Sequence, residues 1–171
     1  MKYLSIVILI LLPFSGWAQD DMNSSDNTNP FVNELGFHAG LTTAIGLSYR
    51  HWVDRFGFQF TGLPIKSDDY IYLCGGFTGM YSLKNSRKVR IFTYWGNSVY
   101  HERYRSQYSP KYGSNEVDTY TQYNTGVGFG FSLGQVVAFN AQVGYGAFNV
   151  FGGYDNITLS LTGELGLYYR F

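Results

Sequence analysis

The sequence predicts an all-β chain, an eight-stranded antiparallel up-and-down transmembrane β-barrel. Three observations carry that prediction. Apolar residues recur at every second position over most of the chain, the period of a strand with one apolar face. The opposite face is Gly, Ser, Thr, Asn and Gln, where a solvated sheet face would carry Lys and Glu freely. Only 14% of the residues are charged while 19% are aromatic, with Tyr 16, Phe 14 and Gly 21; an average soluble domain is about 25% charged. Mean hydropathy is only −0.13, too polar for a bundle of membrane helices.

The N-terminus precedes the barrel. Met1-Lys2 is a short positive start, Leu4 to Phe14 is an apolar run, and Ser15-Gly16-Trp17-Ala18-Gln19 is a region of small residues suited to cleavage. Residues 1–19 therefore read as a signal peptide; the run is shorter than the ~20 residues of a membrane helix. Residues 20–32, beginning Asp20-Asp21-Met22-Asn23, form a polar tether. The barrel is expected over 33–171.

Alternation places the strands in order at 34–41, 44–52, 56–64, 70–83, 89–100, 119–133, 135–148 and 157–171. Several run to about 12 residues or more, beyond the 5–6 usual in globular sheets and sufficient for a tilted membrane strand of ~9–11. Alternation is unbroken from Leu35 to Tyr49, so this stretch could be one strand. The split at Thr42-Thr43 gives the even strand number expected of a closed single-chain barrel, between Gly40 and Gly46. With both termini in the periplasm, the short turns fall at 53–55, 84–88 and 134, and the outer loops at 42–43, 65–69, 101–118 and 149–156. Short turns inside and long loops outside are the expected asymmetry; the first outer loop is the exception.

Eight strands leave a lumen that side chains can fill. His38, Arg50, Glu164 and Arg170 point inward, and closure of strand one on strand eight would let Glu164 meet His38, Arg50 or Arg170. Unpaired charges there would be costly, so these four should form a paired network. Cys74, the lone cysteine, also points inward. Tyr49, Trp52, Tyr81 and Tyr169 are expected in one interfacial girdle and Tyr100, Tyr104 and Tyr123 in the other.

Net charge +0 and one Cys argue against a basic nucleic-acid face, a disulfide scaffold and a Cys-rich metal site. The three His have no partner at metal-ligand spacing, and no cofactor is expected. Gly126-x-Gly128-x-Gly130 lies on a strand with no helix after it, so it is not a dinucleotide cradle; room inside a narrow barrel is its better use. The 101–118 loop is the main functional feature. Tyr100, Tyr104, Tyr108 and Tyr112 recur every four residues, with Arg103, Arg105 and Lys111 between them. Tyr and Arg are favoured at binding hot spots, although strand ends with Tyr at the interface and Arg on lipid phosphates have the same composition. His101, Glu102 and Ser98 or Ser106 supply residue types for an outer-leaflet lipid-modifying enzyme, but geometry, not composition, defines such a site. A minor solute channel is a further alternative; no catalytic residue is assigned.

The chain ends Gly166-Leu167-Tyr168-Tyr169-Arg170-Phe171, and Gly46-Leu47-Ser48-Tyr49-Arg50 runs into a turn. On these segments and the alternation over 33–171, the chain resembles the small OmpA/OmpX-like outer-membrane barrels of Gram-negative bacteria, in a Bacteroidetes-like style. The resemblance implies Leu165, Leu167, Tyr169 and Phe171 as the signal read by the outer-membrane assembly machinery. It also implies outer-membrane lipids and lipopolysaccharide as the surroundings. It supplies no protein partner and no catalytic residue.

Overall fold

The computed structural model describes residues 30–67, 70–105, 117–151 and 157–171, with the backbone alone at 104, 105, 117 and 118. The expected signal peptide, nearly all of the tether, and Ser106, Tyr108, Lys111 and Tyr112 lie outside the described residues. Eight strands follow in order: β1 (Asn33–Gly40), β2 (Ala44–Val53), β3 (Phe56–Lys66), β4 (Tyr70–Asn85), β5 (Val89–Arg105), β6 (Val117–Leu133), β7 (Val137–Phe148) and β8 (Thr158–Arg170). Each pairs antiparallel with the next, and β1 pairs with β8, closing the barrel. The stretch from Leu35 to Tyr49 is two strands. No described helix is long and apolar enough to cross a membrane.

The faces sort as alternation requires. Phe37, Leu161, Leu167 and Val143 stand outside at more than half exposure, while Ser48, Gln59, Thr78, Asn140 and Thr162 are buried inside. A polar interior within an apolar exterior suits a barrel surrounded by hydrocarbon, not water. Two aromatic residues depart from the girdle expectation. Trp52 and Tyr100 are buried in the lumen, because they share strand parity with Arg50 and Ser98; parity decides the face and residue type does not. Tyr49, Tyr81 and Tyr169 are exposed outside. Tyr123 is half-buried on the outer face, where its hydroxyl donates to Asn97 Oδ1 at 2.6 Å.

The wall is uneven in height. β4, β5 and β6 run 16, 17 and 17 residues, against 8 and 10 for β1 and β2. The turn joining the short pair does not project outward. Thr42 and Thr43 are fully buried, so the hairpin tip is folded into the lumen. Gly96, Gly126 and Gly146 form one cross-strand row on β5, β6 and β7. A Cβ at any of the three would strike Thr42 or Thr43. The glycines are the flat patch on which the tip lies.

Candidate functional site

The lumen holds two polar clusters, one at each end of the β1–β8 seam. At the end carrying the short turns, Glu34 is the hub. Arg170 Nε donates to Glu34 Oε1 at 2.9 Å and Arg90 Nη1 to the same oxygen at 3.0 Å. Arg50 Nη1 stands 3.6 Å from Oε2. All four side chains are buried. Three guanidiniums around one carboxylate exceed simple pairing, and neutral groups take up several of their other donors. Arg50 donates to Gln59 at 2.6 Å and to Asn140 at 3.0 Å. Arg170 donates to Ser132 Oγ at 2.7 Å and to the Gly134 carbonyl. The Arg50 guanidinium lies 3.9 Å over the Tyr168 ring and that of Arg90 lies 4.1 Å over Trp52, placing each cation against the negative face of a ring. Trp52 belongs to a buried apolar cluster with Met80, Phe92 and Tyr94.

The second cluster holds the hairpin tip. The Glu164 carboxylate accepts from the Thr42 amide at 3.3 Å and from the hydroxyls of Thr42 and Thr43. His38 Nε2 lies 3.4 Å from Glu164 and 2.6 Å from Thr43 Oγ1. The tip's own carbonyls are also met. Tyr100 OH donates to Gly40 O at 2.7 Å, Ser98 Oγ to Leu41 O at 2.7 Å, and Asn124 Nδ2 to Leu41 O at 3.1 Å. Buried backbone groups need partners, and side chains from β5, β6 and β8 supply them to the Thr42 amide and the Gly40 and Leu41 carbonyls. Ala44, at φ 71°, takes the left-handed backbone that costs an L-residue ~1–2 kcal/mol. Its burial against Cys74 and Tyr100 offsets that cost.

The four interior residues expected to form one network therefore divide. His38 meets Glu164, while Arg50 and Arg170 meet Glu34. Glu34 and Arg90, equally inward by parity, complete the cluster at the short-turn end. Leu165, Leu167, Tyr169 and Phe171 all face outward, each about half exposed. Phe171 exchanges backbone hydrogen bonds with Asn33 at 2.9 and 3.1 Å. Arg103 is exposed on β5; the strand also carries Tyr104 and Arg105 in its backbone.

Among the described residues, His101, Glu102 and Ser98 are not brought together, and Ser106 lies outside the described residues. His101 and Glu102 are consecutive on β5 and so point to opposite faces. His101 shares the outer face with Thr121, whose Oγ1 is 2.8 Å from its Nδ1. Ser98 is buried on the inner face beneath the hairpin. Among the described residues there is no group of three His, Cys, Asp or Glu able to hold a metal ion.

An eight-stranded barrel, apolar without and polar within, defines the class of the molecule. Three solved barrels are similar to it. The N-terminal β-barrel domain of Pseudomonas aeruginosa OprF aligns over 85% of this chain and 99% of that domain, at 14% identity and TM-score 0.46. Ail, the attachment invasion locus protein of Yersinia pestis, aligns over 82% and 95% at 17% identity and TM-score 0.40. Neisserial surface protein A aligns over 81% and 91% at 12% identity and TM-score 0.41. No protein-family model matches the sequence, and no curated protein matches it.

Proposed function

We propose that the chain is an integral outer-membrane β-barrel with a closed interior, acting structurally or as an interaction partner through its outer loops, chiefly 101–118. The carrying observation is the lumen itself: charged, hydroxyl and aromatic side chains fill it, and the chain's own β1–β2 turn is folded into it. A molecule built this way has its chemistry to offer at the loop end, where Arg103 is exposed and Tyr104, Arg105, Tyr108 and Tyr112 follow in sequence. Bilayer lipids and lipopolysaccharide are the surroundings of that end, with the basic residues suited to lipid phosphates. Leu165, Leu167, Tyr169 and Phe171 would present the outward face that the assembly machinery reads during insertion. Termini in the periplasm and a cleaved leader complete this reading.

Two measurements test it. The folded protein in detergent should migrate differently before and after boiling, and in planar bilayers it should show no steady pore; sustained conductance would overturn the closed interior. The enzymatic alternative predicts an altered lipid A profile on His101→Ala. With His101 turned away from both Ser98 and Glu102, the expected profile is unchanged, and a lost modification would reject the non-enzymatic reading.

A further inference from the structure

The two faces of the tall wall, β4 to β6, carry different chemistry at the loop end. Cross-strand register sets the inner side chains in rows. Tyr72, Glu102 and Tyr120 are neighbours in one row, with Tyr100 and Gln122 neighbours in the row beneath. Tyr70 opens the row above, where Tyr104 and Asp118 hold the next register positions. The outer face of the same strands has the opposite charge. Lys66, Ile71, Arg103 and Thr119 follow one another in a single row, and Lys66 and Arg103 are exposed.

The inner face is open above the lumen. β1, on the far side of the barrel, ends at Gly40, and the hairpin tip beyond it is folded down. Tyr70 and Tyr120 are therefore exposed, although their strand parity is that of the buried Cys74 and Asn124. The rings form a ladder. Tyr70 and Tyr72 are stacked, with centroids 6.4 Å apart and planes within 10°, and Tyr72 lies 6.5 Å from Tyr100. The foot of the ladder is fixed, because the Tyr100 hydroxyl donates to the Gly40 carbonyl. Glu102 is half-buried beside Tyr72 and Tyr120, and no described cation pairs with it. Among the described side chains, the inner face of this wall holds no Lys or Arg.

A carboxylate set among aromatic rings attracts a cation twice over, by its own charge and by the negative ring faces. The step of the ladder decides the form of the guest. Alternate side chains of an extended chain lie about 6.8 Å apart, close to the 6.4 Å between the Tyr70 and Tyr72 rings. We propose that this face receives an extended, arginine- or lysine-bearing segment of a protein partner. The proposal rests on the outer-loop interaction reading above and gives the partner a chemistry. Lys66 and Arg103, on the other face, are left for lipid phosphates.

The test is fluorescence anisotropy of a labelled Arg-Gly-Arg-Gly-Arg peptide with the full barrel in phosphatidylcholine nanodiscs, a bilayer without net charge. Binding should saturate and should weaken as salt rises. Glu102→Gln and Tyr120→Leu should each weaken it several-fold. Tyr120→Phe keeps the ring and should bind as the wild type does. Arg103→Gln, on the opposite face of the same strand as Glu102, should leave binding unchanged. Equal loss in Arg103→Gln and Glu102→Gln, or equal binding of Glu-Gly-Glu-Gly-Glu, would overturn the proposal. Displacement by choline at the peptide's own concentration would overturn the choice of a polypeptide, and displacement by maltohexaose the choice of a cation. A wild type that shows the heat-dependent gel shift but binds no peptide overturns this proposal alone. A wild type without the shift fails the barrel reading on which it rests.

Discussion

Glu34 and Glu164 are both buried carboxylates, on strands that are hydrogen-bonded neighbours, yet they are held by opposite chemistry. Glu34 sits among three guanidiniums. Glu164 sits among hydroxyls, a backbone amide and a histidine. The first is a charge cluster joining β1, β2, β5 and β8 across the lumen, so it bears on closure of the barrel. The second joins β8 to the hairpin tip, so it bears on one local element. Arg170 and Glu164 are six positions apart on β8, about 20 Å of strand, far enough for the two sites to be tested separately. Cys74 supplies a reporter for one of them, because Ile45 and Ala44 cover it and it is the single cysteine in the chain.

The largest effect is expected from Glu34→Gln. It leaves three buried guanidiniums without their anion, and removing one partner of a buried ion pair costs about 3–5 kcal/mol. The unfolding midpoint in urea, read by the gel shift, should fall sharply. Maleimide labelling of Cys74 in the folded fraction should stay slow, since the hairpin contacts are untouched. Rapid labelling there would mean that the two sites are one network.

Glu164→Gln should reverse the pattern. The carboxylate accepts three hydrogen bonds from the tip, and hydrogen bonds to a charged group are worth about 1.5–3 kcal/mol each. Release of the hairpin by even the lower figure speeds Cys74 labelling roughly tenfold, with a smaller change in the urea midpoint than Glu34→Gln. Unchanged labelling would remove Glu164 from its role as the hairpin's anchor.

How far this contrast was legible in the sequence follows from what alternation encodes. Strand parity is local, so the inward and outward faces and the inward placement of Cys74 follow from it, whereas the split at Thr42-Thr43 follows from the even strand number that closure requires, since alternation runs through it unbroken. Trp52 carries the same parity as Arg50, and its residue type, typical of a girdle, points the wrong way. The division of the charges into two clusters depends on which cross-strand neighbours meet, and that is set by register. Register also hides the hairpin's direction: a two-residue Thr-Thr turn reads alike whether it projects or folds inward. A usable signal was present in Gly96, Gly126 and Gly146, but they become one row only once β5, β6 and β7 are aligned. The same alternation separates His101 from Glu102, which loop composition alone joins.

The finest distinction lies within the hairpin cluster. Thr43 Oγ1 donates to Glu164 and lies 2.6 Å from His38 Nε2, so it links the tip to both partners. Thr43→Val keeps the shape and removes that hydroxyl, while the Thr42 amide and hydroxyl still reach Glu164. The loss of one such bond to the carboxylate is worth about 1.5 kcal/mol at the lower figure, which corresponds to about a tenfold rise in Cys74 labelling, below the combined loss of three in Glu164→Gln. The barrel's urea midpoint should barely move, because no member of the Glu34 cluster is altered. If Thr43→Val instead equals Glu164→Gln in labelling rate, Thr43 is the principal tie of the tip and the carboxylate serves mainly to orient its hydroxyl.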